Sequence, residues 1–176
     1  PIYVLFIIGI GKILNIPNEV ISQFLKTTKA LEHRLENFFL KQNTLFINDS
    51  KGTNVESTIK AIEAFKNRIV LIAGGENKKI CNEELIKKIN ERVGFVYLIG
   101  ETGTILAEEM NKVGYKKYKN LGTLEKVLLD IKQNIDFEDS QTILFSPATA
   151  SFDQFKNFEE RGRIFKELTN KILGEK

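Results

Sequence analysis

The sequence predicts an α/β fold: a doubly wound, mostly parallel sheet with helices on both faces and an antiparallel edge hairpin. Three observations carry that expectation. Apolar strand-like runs alternate with amphipathic helical segments from residue 44 onward. Three of the runs, "RIVLIA", "FVYLI" and "TILF", are continuously apolar, as strands covered on both faces must be. Two short runs, "NFFL" and "TLFIN", stand only "KQN" apart, a spacing that only an antiparallel hairpin can close.

The elements follow in order. Residues 2–14 read as an apolar helix ended by "NIPN", and Asn18 is placed to cap a second helix, "EVISQFLKTT". "KALEHRLE" is a basic connection into the hairpin. Helix "VESTIKAIEAFK" precedes strand "RIVLIAGG", and helix "NEELIKKINERV" precedes strand "FVYLIG". Helix "TGTILAEEMNKVG" precedes a weak strand, "YKKYK". Helix "TLEKVLLDIKQNI" precedes strand "TILFSP", and a last helix is expected from Phe152 to Leu173.

Composition narrows the function classes. With 176 residues, the chain can bury one substantial core. Its 42% apolar and 28% charged residues are those of an ordinary globular protein. The net charge of +3 is dispersed, without the basic block that a nucleic-acid tail would show. One cysteine, Cys81, allows no internal disulfide and suits a reducing cytoplasm. A single His and a single Cys exclude a His/Cys zinc site within the chain, and no metal ligand set is expected here. The opening apolar stretch, roughly ten residues, is short of the ~20 needed to span a membrane, and no basic segment precedes it as in a signal peptide. Starting on Pro and not Met, the chain reads as a fragment whose first helix is cut from a larger body.

In a doubly wound sheet, ligands bind beyond the carboxyl ends of the strands. Those ends are "NDSKGTN", "AGGENKK", "GETGT" and "SPATAS". Thr53 and Glu56, then Ser151 and Gln154, show capping-box spacing. Both hydroxyls are therefore either caps or, with two helix N-termini at one crevice, parts of a site for a ligand with two carboxylates. Asp49 is a turn residue, a partner for ribose hydroxyls, or a support for Lys51. Lys51 is a solvated lysine or a phosphate or carboxylate partner. Gly74 and Gly75 permit close backbone approach, and Lys78 behind them reads as a surface turn, since no G-x-x-x-x-G-K-[ST] loop occurs in the chain. "GETGT" lacks dinucleotide spacing and reads as a loop and helix start. His33 reads as structural, and Arg34 as a phosphate or base partner or a surface ion pair. At least two of Phe152, Phe155 and Phe158 are expected in the core. Cys81 has no histidine evidently placed to activate it.

Taken together, "INDSKGTN", "LIAGGENK" and above all "SPATASFDQFKNFEERGRIFKEL" resemble the C-terminal domain of the Mur ligases, in the branch that adds D-glutamate. "LEHRLE" resembles that domain's opening Leu-Pro-His-Arg, with Glu32 in place of Pro. The resemblance runs from about residue 17 to the end, and the Asp-Asn-Pro-Arg motif of the diaminopimelate- or lysine-adding members is absent. It implies a Rossmann-like third domain over 33–176, preceded by a remnant of a central ATPase domain and linker over 1–32. It implies a cytoplasmic, ATP-dependent ligase of peptidoglycan precursor synthesis, with UDP-N-acetylmuramoyl-L-alanine and D-glutamate as substrates. The reaction would pass through an acyl phosphate, with magnesium held in the missing central domain. This domain would pack on the missing N-terminal and central ones, with no nucleic acid and no membrane as partner. Lacking the phosphate loop, the chain alone is expected to be inactive.

Residue by residue, the resemblance implies Thr53 and Lys78 at the α-carboxylate of D-glutamate. Ser151 and the backbone near Phe158 would hold the side-chain carboxylate. Asp49 would meet the ATP ribose, Arg34 the nucleotide, and Lys51 would act catalytically between nucleotide and amino acid. Gly52 stands for the usual Ala, Glu76 for Asp and Thr149 for Cys. The competing readings are a stand-alone Rossmann-like module binding a small acidic metabolite, and a related ligase adding another amino acid.

Overall fold

The computed structural model describes residues 2–27, 31–76 and 82–174. The chain divides into two compact units, 1–31 and 32–176. In the first, α1 (Ile2–Ile13) and α2 (Asn18–Thr27) form a helical pair. Gly11 lies against Ile21, where a Cβ would meet Ile21 Cδ1 at 2.6 Å. Asn18 does not cap α2 with its side chain; its Oδ1 accepts from Lys12 Nζ at 2.6 Å. Leu5, Phe6 and Ile13 stand exposed. Among the described residues no helix is long and apolar enough to cross a membrane.

The second unit is the doubly wound α/β domain. Its strands are β1 (Glu36–Lys41), β2 (Thr44–Asn48), β3 (Arg68–Gly74), β4 (Val93–Ile99), β5 (Tyr118–Gly122) and β6 (Gln141–Phe145). Its helices are α3 (Val55–Glu63), α4 (Glu83–Arg92), α5 (Thr102–Lys112), α6 (Leu124–Asn134) and α7 (Phe158–Leu173). Sheet order is β1-β2-β6-β3-β4-β5, with only β1–β2 antiparallel. The pleat divides each apolar run between two cores. Ile69, Leu71 and Ala73 face α3, α4 and α5. Val70 and Ile72 face α6 and α7, where Phe145 and Phe165 meet with ring centroids 4.6 Å apart. This two-sided burial is why the runs contain no polar alternation.

Two elements differ from expectation. β5 begins at Tyr118, not Tyr115, because the buried Tyr115 hydroxyl donates to Val93 O (3.1 Å) and anchors the preceding turn. The last helix begins at Phe158, not Phe152. Residues 151–157 form turns instead, with Gln154 and Phe155 N–H groups donating to Ser151 O.

The topology singles out one strand. β2, β3 and β4 are followed by helices on one face, whereas β6 is followed by α7 on the other. Because β6 lies between β2 and β3, its exit loop departs from both neighbours and opens a crevice on each side.

Candidate functional site

The exit loops are joined at their backbones. Ala148 N–H donates to Gly52 O (2.9 Å), Gly74 N–H to Pro147 O (2.8 Å), Glu76 N–H to Ala150 O (3.0 Å) and Thr102 N–H to Gly75 O (2.9 Å). The β2, β6, β3 and β4 exits thus form one continuous rim. Gly75 is required there: with φ +154°, a Cβ would lie 2.4 Å from Ala150 O. Ala148 holds a left-handed φ of +65°, an uncommon state for alanine.

Asp49 is buried. Its Oδ2 accepts from Ser146 Oγ (2.7 Å) and its Oδ1 from Leu35 N–H (3.2 Å). Burial pushes its pKa up; the Ser146 hydroxyl, the Leu35 amide and the Arg34 charge offset part of that rise. The tight turn here closes through the backbone, Asp49 O accepting from Gly52 N–H, and not through the Asp49 side chain as the turn role considered for it would require. Its carboxylate is engaged with Ser146 and Leu35. Thr58, which no motif singled out, extends this cluster: its Oγ1 lies 2.8 Å from Ser146 Oγ.

Arg34 is exposed beside this carboxylate. His33 is buried with φ +63°. Asn48 Oδ1 accepts from Ser50 N–H, which turns the Asn48 amide nitrogen toward His33 Nδ1, 2.9 Å away. Nδ1 therefore accepts, and the ring proton sits on Nε2. Burial pushes the His33 pKa below the ordinary value, favouring this neutral form. Lys51 is exposed, with Nζ 4.6 Å from the Phe158 ring centroid. Phe158 opens α7, and its carbonyl accepts from Ser50 Oγ (2.8 Å). Of the three phenylalanines, Phe155 packs in the core, Phe158 is half-buried, and Phe152 is exposed.

Both expected capping boxes are corrected. The cap of α3 is Asn54, whose Oδ1 accepts from Ser57 N–H (2.8 Å), while Glu56 reaches Lys60 instead. The cap of α7 is Asn157, accepting from Glu160 N–H, while Gln154 Nε2 donates to Gly122 O. In each case an Asn nearer the helix takes the bond. The half-buried Thr53 and buried Ser151 therefore do not cap, and their hydroxyls stand on two joined loops. Lys78 and Cys81 lie outside the described residues.

Sequence reasoning gave no role to Arg161, which is fully buried at the centre of the rim. Its Nε donates to Ser50 Oγ (3.0 Å) and its Nη2 to Ser50 O (2.8 Å). Its Nη1 donates to Thr149 O and Ala150 O, both at 3.1 Å. Burial pushes its pKa down to about 10, so it stays charged at neutral pH. The only hint in the sequence was its place in "FEERGRIF", beside Gly162. At that glycine, a Cβ would lie 2.3 Å from His33 Nδ1.

Glu32, His33 and Glu36 bring possible metal-ligand atoms within 4.8 Å of one another. The Lys166 ammonium already joins the two carboxylates, at 2.6 Å from Glu32 Oε1 and 2.9 Å from Glu36 Oε1. This is an ion-pair cluster on the outside of α7.

The family described as "Mur ligase, glutamate ligase domain" matches residues 33–149. The UDP-N-acetylmuramoylalanine–D-glutamate ligase of Fusobacterium nucleatum is 44% identical over 172 residues, covering 97% of this chain and 40% of that protein. The ligase of the same name from Caldicellulosiruptor bescii is 41% identical over 162 residues, covering 90% of this chain and 34% of that one. The chain thus spans well under half the length of these relatives. Among solved structures, it superposes on the MurF ligase of Thermotoga maritima in complex with ADP. The TM-score is 0.51 at 17% identity, over 82% of this chain and 33% of that one. It also superposes on the bifunctional folylpolyglutamate synthase/dihydrofolate synthase of Yersinia pestis. There the TM-score is 0.60 at 16% identity, over 86% and 34% of the two chains. At these identities the two likenesses show the fold.

Proposed function

The chain belongs to the Mur ligase family through its glutamate ligase domain, and we propose that it is the C-terminal part of a cytoplasmic, ATP-dependent D-glutamate ligase. The enzyme would join D-glutamate to UDP-N-acetylmuramoyl-L-alanine. Residues 1–32 would belong to the central domain and linker, which would account for the exposed apolar side of α1.

The observation that carries this reading is the pair of hydroxyls left uncapped, Thr53 and Ser151, on loops fastened to each other at Gly52 and Ala148. Thr53 with Lys78 would take one carboxylate of D-glutamate. Ser151 and the first backbone N–H groups of α7, beginning at Phe158, would take the other. The positive end of α7 and the Lys51 ammonium both favour an anion there. Two carboxylates fixed at two points leave the amine as the free end of the substrate, and orienting it is the main contribution such a site makes to the rate.

ATP would supply the phosphoryl group that activates the carboxylate of the second substrate. Asp49 and Arg34 would meet its ribose and nucleotide. Asp49 fits that part, since each carboxylate oxygen that accepts one bond in the chain retains further acceptor capacity. Lys51 would lie between nucleotide and amino acid and balance charge as it develops. The Glu32–His33–Glu36 cluster does not fit magnesium, because the Lys166 ammonium occupies it. Its ligands would lie in the central domain, as would the phosphate loop that this chain lacks. The chain alone would therefore turn over nothing.

The test is Ser151→Ala in the full-length enzyme. KM for D-glutamate should rise about tenfold or more, while KM for ATP stays within about threefold. Equal rises for both substrates would remove Ser151 from the amino-acid site.

A further inference from the structure

The rim contains a buried cation that the proposed chemistry does not use. Arg161 directs four of its five N–H groups to Ser50 Oγ, Ser50 O, Thr149 O and Ala150 O. All four acceptors are neutral. A guanidinium so deeply buried is ordinarily balanced by a carboxylate. The acid that acts on it here is Asp153, whose Oδ2 accepts from Glu101 N–H (3.2 Å) and whose pKa burial itself pushes up. Glu159 and Glu160, in the first turn of α7, are half-exposed, and Glu160 Oε2 accepts from Lys156 N–H. No described carboxylate makes a hydrogen bond or ion pair to the guanidinium. Beside it the wholly buried Thr149 hydroxyl has no partner among the described residues.

The bonds of Arg161 also have a direction. One prong reaches the β2 exit at Ser50. Another takes the two carbonyls before Ser151. Ser50 Oγ, which accepts from Nε, in turn donates its hydroxyl hydrogen bond to Phe158 O. A single side chain thus fixes three things relative to one another: the loop carrying Lys51 and Thr53, the loop carrying Ser151, and the first turn of α7.

We infer that Arg161 is the positioning residue of the amino-acid site, setting the Ser151 loop against the β2 exit and supplying the buried positive charge that an acidic side chain of the substrate balances. This rests on the reading of Ser151 as the group that holds that acid. Arg161 itself need not touch the ligand; its guanidinium lies behind the loop backbone, bonded only to neutral acceptors among the described residues, so an arriving carboxylate would find its charge not ion-paired. The ligand class it selects is a dicarboxylic amino acid and not a neutral one.

The experiment uses the full-length enzyme with Arg161→Lys, Arg161→Gln and Ser50→Ala, and with Ser151→Ala as reference. Folding is checked by circular dichroism, and kcat and both KM values are measured. Arg161→Gln should raise KM for D-glutamate by about 100-fold, and Arg161→Lys, which keeps the charge but not the fork, by about 10-fold. KM for ATP should stay within about threefold in both. Ser50→Ala keeps the guanidinium and cuts its link to Phe158; it should raise KM for D-glutamate several-fold. A folded Arg161→Gln enzyme with unchanged KM for D-glutamate overturns the inference, and so does an equal rise for ATP. If the Arg161 variants do not fold, Ser50→Ala decides, and an unchanged KM for D-glutamate overturns it. The reference separates the two levels. If Ser151→Ala raises KM while the others do not, only the role of Arg161 falls. If Ser151→Ala itself changes nothing, the reading of the site falls with it.

Discussion

The two ends of strands β2 and β6 solve the same problem with different chemistry. At the amino ends, the buried polar side chains are neutral. Thr44 Oγ1 donates to the carbonyls of Phe137 (3.3 Å) or Asp139 (3.2 Å), and Gln141 Nε2 donates to Asp136 O (2.7 Å). Charges at that end stay in water: Arg68 and Asp139, 3.5 Å apart, are both more than half exposed. At the carboxyl ends, Asp49, His33 and Arg161 are all buried, each hydrogen-bonded. Terminating strands does not require buried charge, as the amino ends demonstrate. The desolvation accepted at the other end is a cost that folding alone does not explain, and it coincides with the rim that topology marks for ligands.

The strongest way to break this contrast is to remove one charge from each end. Arg161→Met leaves Ser50 O and Thr149 O without their donor in a closed interior, and Ala150 O with the Glu76 N–H alone. It should cost about 3 kcal/mol or more in urea unfolding, because orphaned buried acceptors are expensive. Arg68→Ala at the amino end removes only a solvated ion pair and should stay within about 0.5 kcal/mol. Similar losses at both sites would mean that the carboxyl rim is no more tightly organised than an ordinary surface.

Glycine to alanine sharpens the same contrast at smaller scale. Gly162 lies inside α7, where alanine normally gains about 1 kcal/mol by helix propensity. Here the new Cβ would lie 2.3 Å from His33 Nδ1, and His33 is held by Asn48. Gly162→Ala should therefore destabilise, by about 1–3 kcal/mol. Gly94, near the amino end of β4, would put its Cβ 3.1 Å from Nε of the exposed Arg68 side chain, which can move away. Gly94→Ala should change thermal stability by less than about 0.5 kcal/mol. A stabilised Gly162→Ala protein would show that His33 yields, and that the rim is softer than its hydrogen bonds suggest.

Much of the fold could be read from the chain because its cause is local in sequence. Continuous apolar runs such as "RIVLIA" are what a strand between two helical layers needs, and Ile69 and Val70 do divide between the two cores. The strand exits were legible for the same reason: apolar runs stop abruptly at Asn48, Gly74 and Ser146. What escaped was set by distant partners. Ser151 and Gln154 have capping-box spacing, but the Gln154 amide is drawn to Gly122 O, 32 positions away. The true caps, Asn54 and Asn157, sit immediately before their helices, next to Thr53 in the first case and well beyond Ser151 in the second. Arg161 looked like one more charge on an amphipathic helix. Its acceptors are mostly backbone carbonyls, and residue identity does not show where a carbonyl will point.

The smallest effect concerns the other buried ion. Burial raises the Asp49 pKa above its unfolded value. The folded state therefore keeps the proton in a window that begins near the ordinary carboxylate value, about pH 4, and the unfolded chain has lost it there. Stability contributed by the protonated form is complete below that window and is lost as pH rises through it. The amide introduced by Asp49→Asn cannot titrate, yet its oxygen can still accept from Leu35 N–H, and Ser146 can turn its hydroxyl to accept from the new amide nitrogen. Relative to the wild type, Asp49→Asn should gain thermal stability as pH is raised from about 4 toward neutrality, levelling once Asp49 is ionised. The buried groups at the amino ends, Thr44 and Gln141, do not titrate in that range, so the difference belongs to the carboxyl rim. A wild-type minus variant difference that is flat with pH would mean that Ser146, Leu35 and Arg34 fully replace the water Asp49 has lost. In that case the contrast in buried charge between the two ends would rest on Arg161 alone.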